Sequence, residues 1–133
     1  MEGLIDTTLL IDCWREQSQP AQAFAFIQKH ADRTIGLPWI VKGEYLSGVF
    51  FANHDQEKIE TFLQRFVLIL SDDPTIKIYA QLYTELKRKN NLISLNDLWI
   101  AATALRFQCP LITRNTRHFS RVPNLKLINY TQS

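Results

Sequence analysis

Three acidic residues stand far apart in this 133-residue chain, each where a carboxylate can take part in chemistry. Asp6 directly follows a short apolar run, Glu44 lies inside an apolar helix pattern between two glycines, and Asp97 stands near the start of another helix pattern. Carboxylates gathered in one pocket repel one another, so such a cluster persists by binding cations, taking up protons or facing a positive partner. Because all of these ligands are oxygen atoms, the metals that the pocket favours are Mg²⁺ and Mn²⁺.

The segment around the third acid has the clearest local pattern. Ser94 stands three residues before Asp97, which is the spacing of a capping box and predicts a helix that begins there. Mostly small apolar residues then recur at helical spacing, so this helix can lie close against a sheet. The helix ends before Pro110, and residues 111–113 form a short strand followed by a polar turn at residues 114–117. Such turns line the ligand crevice of open α/β sheets.

Apolar runs along the whole chain predict five strands, and amphipathic patterns between them predict helices. The five runs lie at residues 3–5, 34–37, 66–70, 111–113 and 125–128. This alternation is typical of a three-layer α/β/α domain with a mainly parallel sheet. In such a sheet, Asp6 and the turn after Thr113 emerge at the same edge, and the helices that carry Glu44 and Asp97 can reach it.

Local features complete these expectations. Residues 19–20, Gln-Pro, separate the first two helices, and residues 66–70 read as a buried strand. Asp12 is expected to be a charge on a helix surface. The acid pair at the start of residues 72–74 is expected to cap the following helix rather than to bind metal. Residues 130–133 read as a tail.

Length and composition favour one ordinary globular domain over residues 1–133. Hydrophobic residues make up 46% and charged residues 21%, which argues against disorder, and the formal net charge of +2 neither requires nor excludes a nucleic-acid partner. Cys13 and Cys109 are unpatterned and favour buried thiols in a reducing compartment. Since the chain has neither a signal-peptide pattern nor a long apolar stretch, we expect a cytoplasmic protein without membrane insertion.

Each of the singled-out residues also has a purely structural explanation. Asp6 would serve as the cap of the helix that follows it, because carboxylates favour helix starts. Glu44 would be a half-exposed residue on a helix surface. The basic residues after position 113 would form an ordinary solvated loop.

Four segments of the chain are LIDTTLLID at residues 4–12, EYLSG at residues 44–48, NDLWIAA at residues 96–102 and TRNTRHF at residues 113–119. Together they resemble VapC-type toxins of the PIN-domain ribonuclease family. The first segment is similar to the family's first strand and helix, and the second to its E-L-x-x-G segment. NDLWIAA at residues 96–102 resembles the N-D-x-x-I-A-A helix start, and TRNTRHF at residues 113–119 resembles the T-R-N/D-x-x-x-F turn. Four segments in register are far more specific than any one of them. The resemblance covers nearly the whole chain.

The resemblance implies a metal-dependent endoribonuclease that hydrolyses RNA and acts as the toxin of a toxin–antitoxin pair. Asp6 and Asp97 would hold Mg²⁺, or Mn²⁺, directly, and Glu44 would bind a water or a second ion. Asn115 stands where many relatives have a fourth acid, so it is the fourth candidate catalytic residue. An amide there removes one negative charge, which favours a single bound ion.

The resemblance also implies partners. Arg114, Arg117 and Arg121 would form a basic rim that meets RNA phosphates beside the acidic pocket. A VapB-like antitoxin would fill the groove with a basic or aromatic tail, and the toxin itself would be a homodimer.

Two other functions fit parts of the pattern. A catalytically silent PIN-like module that only binds a protein or RNA would have the same fold. A phosphoryl-accepting receiver domain fits less well, because such domains have paired acids after the first strand and this chain has Thr7 and Thr8 after Asp6.

Overall fold

The structure is a computed structural model that describes residues 1–15 and 22–132, so residues 19–20 of the sequence-based prediction lie outside it. Strands and helices alternate along the chain in the expected way. The elements are β1 (Gly3–Ile5), α1 (Thr7–Arg15), α2 (Gln22–Lys29), β2 (Ile35–Pro38), α3 (Trp39–Phe51), α4 (Gln56–Leu63), β3 (Val67–Ile69), α5 (Asp73–Arg88), α6 (Leu95–Phe107), β4 (Leu111–Ile112), α7 (Thr116–Phe119) and β5 (Leu127–Ile128).

The strands form one parallel sheet in the order β3-β2-β1-β4-β5. The chain builds outward from β1 to β3 on one side and then returns to add β4 and β5 on the other. The strand order therefore reverses between β1 and β4, where open α/β sheets form a crevice at the carboxyl ends of the strands. Asp6 follows β1 and Thr113 follows β4, so both lie at this reversal. The predicted three-layer parallel fold is confirmed.

Helix α6 shows why small residues recur along its sequence. Its buried residues include three alanines, and each is inaccessible to solvent. Short side chains let the helix axis approach its neighbours closely, which brings the start of α6 toward the reversal between β1 and β4. Ser94 accepts a hydrogen bond from the backbone N–H of Asp97 at 3.3 Å, so the predicted cap at this helix start is confirmed.

Three local predictions are wrong in detail. Strand β3 is the edge of the sheet, and Val67, Leu68 and Leu70 are exposed rather than buried. An apolar run predicts a strand but does not give its place in the sheet. The polar turn after β4 is shorter than expected, because residues 116–119 form the helical turn α7. Tyr130 is buried and is not part of a loose tail.

Other features agree with the sequence. Cys13 and Cys109 are both buried thiols. Across residues 1–15 and 22–132, no helix combines the length and the apolar character that crossing a membrane requires.

Asp72 caps α5, as the sequence predicts, and also ties α5 to α6. Its carboxylate accepts hydrogen bonds from the Thr75 backbone N–H at 2.9 Å and the Thr75 hydroxyl at 2.6 Å. Arg106, near the end of α6, donates from its Nε at 3.1 Å and from a terminal nitrogen at 3.0 Å. The hydrogen bonds from Thr75 and Arg106 lower the pKa of the Asp72 carboxyl to about 2.

This lowered pKa predicts an acid-dependent contribution to stability. A carboxylate whose pKa is lower in the folded state contributes stability above its unfolded pKa, and loses it as the pH falls through the folded value. We therefore expect the free energy of unfolding of the wild type to fall more steeply than that of Asp72→Asn between about pH 4 and pH 2. Urea unfolding followed by circular dichroism measures this. Asp73→Asn, which removes only an exposed pair with Lys77, is the matched control. Equal slopes for wild type and Asp72→Asn would contradict the prediction.

Candidate active site

Asp6 is the most deeply buried acid of the site. The residue is only 2% exposed and lies at the carboxyl end of the central strand β1. Oδ1 accepts hydrogen bonds from the Thr8 backbone N–H at 3.2 Å and from the Thr8 hydroxyl at 2.6 Å. Oδ2 accepts from the Thr113 hydroxyl at 2.6 Å. Asp6 therefore caps α1, and it is also held by the neighbouring strand β4.

The electrostatic state of Asp6 reflects this burial. Loss of hydration is the main cause that raises the pKa of its carboxyl, since burial penalises the charged form. The hydrogen bonds from Thr113 and Thr8 oppose this rise. The negative charge of Asp97 adds to it, so the two acids are close enough to repel one another. A buried carboxylate beside a second negative charge is a favourable place for a cation.

Asp97 lies in the first turn of α6 and is about half-buried. His118, in α7, lies with its Nε2 2.8 Å from Asp97 Oδ2. The contact fixes the side chain of Asp97 from the far side of the β4–α7 turn. In the sequence, His118 stands out only as part of the family-like segment at residues 113–119, and its contact with Asp97 was not predicted because the two residues are 21 positions apart.

Glu44 is half-buried in the middle of α3 and is joined to the start of α1. The Thr7 hydroxyl donates to Glu44 Oε1 at 3.1 Å, and Thr7 is the residue next to Asp6. Added Cβ atoms at Gly43 and Gly48 would meet nothing within 4 Å, so the two glycines on either side of Glu44 in the sequence border open space. A largely apolar cavity of about 260 Å³ begins at Thr7 and Glu44 and extends to Trp14 and His54.

Asn115 lies on the turn that Thr113 begins. Its backbone N–H donates to the Thr113 hydroxyl oxygen at 2.9 Å, and its side chain is exposed. Thr113 thus uses one hydroxyl group twice, as a donor to Asp6 and as an acceptor from Asn115. This gives the turn a fixed relation to Asp6. The signal for Thr113 in the sequence was its position as the last residue of a predicted strand, directly before the polar turn.

The donor set fits a hard cation that keeps part of its water shell. All the acidic groups offer oxygen atoms, and the mutual repulsion of Asp6 and Asp97 favours a positive charge between them. Among the residues that the structure describes, no three His, Cys, Asp or Glu side chains are grouped closely enough to hold a metal ion by themselves. The arrangement suits Mg²⁺, which typically binds one or two carboxylates together with waters and substrate oxygens.

Asp12 corrects a prediction from the sequence. It was expected on a helix surface, yet the residue is buried, with only 8% of its surface exposed. Its Oδ2 accepts a hydrogen bond from Arg114 Nε at 2.7 Å and another from the Tyr130 hydroxyl. An ionised carboxylate is rarely buried without such partners, and these partners come from segments that the sequence separates widely.

The basic residues of the expected rim differ from one another. Arg114 donates a hydrogen bond from its Nε to Asp12, and this hydrogen bond raises the pKa of the Arg114 guanidinium. Arg117 and Arg121 are exposed on and after α7. Their positions leave them accessible to a ligand that lies over the β4–α7 turn.

Fold and site together define a class of protein. The protein is a parallel α/β domain in which the carboxylates of Asp6 and Asp97 lie near each other where the strand order reverses. Threonine hydroxyls donate hydrogen bonds to Asp6. Residues 3–125 match the PIN domain family. The chain belongs to the PIN domain family.

Similar proteins cover most of the chain. Ribonuclease VapC2 of Rickettsia felis is 35% identical over 102 residues, which span 74% of this chain and 76% of that protein. Ribonuclease VapC1 of Methanocaldococcus jannaschii is 29% identical over 128 residues, which span 96% of this chain and 85% of that protein.

Solved structures agree with the fold. A chain of VapBC2 from Rickettsia felis, crystallised with a DNA fragment from their promoter, matches with a TM-score of 0.83 at 29% identity, covering 97% of this chain and 98% of that one. A chain of VapBC-1 from nontypeable Haemophilus influenzae matches with a TM-score of 0.85 at 24% identity, covering 99% of this chain and 100% of that one. The second match supports the fold alone.

The burial of Asp6 predicts that this residue lowers the stability of the metal-free protein. A carboxyl whose pKa is higher in the folded state loses its contribution to stability as the pH rises through that pKa. Asp6→Asn removes the charge while keeping the shape and an acceptor oxygen. In EDTA, we expect this variant to melt several degrees above the wild type at pH 7.5, and we expect the difference to shrink toward pH 4. Differential scanning calorimetry measures it. The exposed Asp32→Asn is the control, and a lower melting temperature for Asp6→Asn would refute the prediction.

Proposed function

We propose that this protein is a Mg²⁺-dependent endoribonuclease and the toxin of a type II toxin–antitoxin pair, working as one PIN domain over residues 1–133. The observation that carries the proposal is the buried Asp6 carboxylate, which meets the charge of Asp97 where the strand order reverses. The similarity to ribonucleases of the VapC group supports RNA as the substrate.

The proposed roles follow from the position of each group. Asp6 and Asp97 hold the ion, for which Mn²⁺ can substitute, and Thr113, Thr8 and His118 hold these two carboxylates in place. Glu44 binds a water at the open side of the site. When bound, the ion lowers the pKa of a water that attacks the phosphodiester and offsets the charge on the leaving oxygen. Asn115 offers an amide to a water or to the substrate.

RNA approaches the site over the β4–α7 turn. Arg117 and Arg121 are exposed there and attract phosphates on either side of the acidic centre. Arg114 contributes less to RNA binding, because Asp12 already neutralises much of its charge. The sequence suggests a rim of three equivalent arginines, whereas we assign RNA binding mainly to Arg117 and Arg121.

The protein partners are a VapB-like antitoxin and a second copy of this chain. The solved VapBC2 complex of Rickettsia felis supports the first partner. The apolar cavity between Glu44 and Trp14 suits an aromatic side chain from the antitoxin tail. We assign the protein to the cytoplasm, because an RNA substrate and buried thiols suit a reducing compartment.

Cleavage of RNA by the purified protein tests the proposal. We expect Asp6→Asn and Asp97→Asn to lower the cleavage rate in Mg²⁺ by about 100-fold or more, since even outer partners of metal ligands cost about 10- to 100-fold. Glu44→Gln is expected to lower it by about 10-fold, because Glu44 acts through a water. Gel electrophoresis of a labelled RNA measures the rates, and EDTA should abolish cleavage by the wild type.

The controls separate catalysis from contamination and from a silent binding module. Asp32→Asn and Glu57→Gln change exposed acids outside the site, in the turn before β2 and on α4, and should cleave at the wild-type rate. Equal residual cleavage by wild type, Asp6→Asn and Asp97→Asn would point to a contaminating nuclease. That result would favour the alternative function, a PIN-like module that binds a protein or RNA without cutting it.

A further inference from the structure

A buried carboxylate outside the acidic centre joins three distant parts of the chain. Asp12, on α1, accepts hydrogen bonds from Arg114 in the β4–α7 turn and from Tyr130 after β5. Arg114 is 102 residues away in sequence and Tyr130 is 118 residues away. We call Asp12, Arg114 and Tyr130 the Asp12 clasp. Both donors converge on one oxygen atom, Oδ2, so the loss of either one leaves a buried acceptor only partly satisfied.

One arm of the clasp leads to one oxygen of Asp6. Arg114 lies directly between Thr113 and Asn115 in the turn after β4. The Thr113 hydroxyl donates to Asp6 Oδ2 at 2.6 Å, so the pairing of Arg114 with Asp12 fixes the backbone that carries this donor.

The other arm leads to the second oxygen. The Tyr130 hydroxyl, which donates its proton to Asp12, also lies close enough to the Thr8 hydroxyl to interact with it. The Thr8 hydroxyl donates to Asp6 Oδ1 at 2.6 Å. Burial, together with the hydrogen bond to Asp12, raises the pKa of Tyr130, so the phenol stays protonated and remains a donor to Asp12. Tyr130 is also close enough for the charge of Asp6 to affect it.

We propose that Asp12 and Tyr130 are positioning residues for the cleavage reaction, holding the Thr113 and Thr8 hydroxyls against the two oxygens of Asp6. This inference rests on the proposed nuclease function and adds residues to it. Neither residue touches the substrate. Their effect is to fix the direction of the free lone pairs of Asp6, as outer partners do for metal ligands in other sites.

The physical basis is the cost of leaving a buried charge unpaired. The Asp12 side chain is only 11% exposed, so its carboxylate recovers little hydration when it loses one donor, and the surrounding segments shift to satisfy it. Here those segments are the start of α1 and the β4–α7 turn, which carry the donors to Asp6. A small displacement at Asp12 is therefore transmitted to the acidic centre.

Mn²⁺ binding, together with steady-state cleavage, tests this inference. Tyr130→Phe removes only one hydroxyl group, and Asp12→Asn removes the charge. We expect each variant to bind Mn²⁺ about 10-fold more weakly, measured by electron paramagnetic resonance of the free ion. We expect kcat to fall about 10-fold and KM for RNA to stay within about twofold, because the clasp acts on Asp6 and not on RNA contacts.

Two matched controls remove similar groups elsewhere. Tyr83→Phe removes an exposed hydroxyl that contacts Lys87. Asp72→Asn breaks a carboxylate–arginine pair between α5 and α6, at the opposite end of α6 from Asp97, about 13 Å along the helix. Both controls should bind Mn²⁺ and cleave RNA as the wild type does, even where Asp72→Asn melts at a lower temperature.

The outcomes are distinguishable. Wild-type Mn²⁺ affinity and kcat in folded Tyr130→Phe and Asp12→Asn, with only a lower melting temperature, would overturn the inference and leave the clasp a structural brace. If Asp12→Asn fails to fold, Tyr130→Phe alone decides. A wild type that neither binds Mn²⁺ nor cleaves RNA would overturn the proposed function, and the inference with it.

Discussion

Burying the Asp6 carboxylate in the middle of the sheet costs free energy unless its oxygens are hydrogen-bonded or meet a cation. The Thr8 and Thr113 hydroxyls donate hydrogen bonds to the two oxygens of Asp6. Asp97 is close enough to repel the Asp6 carboxylate, so a cation between the two acids would stabilise both. The neighbouring structure is arranged around this requirement. Thr8 belongs to the helix that Asp6 caps, Thr113 ends the adjacent strand, and His118 holds Asp97 from α7.

The topology of the sheet brings these groups together. Because β1 is central and β4 returns to its side, residues more than 100 positions apart meet at the carboxyl ends of the two strands. The small residues of α6 bring its start close to the same point. Asp12 then connects the β4–α7 turn and the segment after β5 to α1, through Arg114 and Tyr130. The proposed chemistry thus depends on long-range pairing more than on any single segment.

Local patterns in the sequence predicted the strands, the helices and the class of fold. Apolar runs, caps and the four family-like segments sufficed for the strands, the helices and the parallel three-layer fold, and the roles of Asp6, Glu44, Asp97 and Asn115 stay predictions. The pattern did not predict that β3 lies at the edge, because strand order is a long-range property. The burial of Asp12 and Tyr130 was missed for the same reason: each residue is buried only because a partner from a distant segment satisfies it.

The central claim is that Asp6 and Asp97 together hold a divalent cation. A crystal of the protein grown with Mn²⁺ and measured near the manganese absorption edge tests it most directly, because the anomalous signal locates the ion without assumptions about its ligands. The account predicts a single strong peak within coordination distance of a carboxylate oxygen of each residue. A peak elsewhere, or no peak at a Mn²⁺ concentration that supports RNA cleavage, would contradict the account.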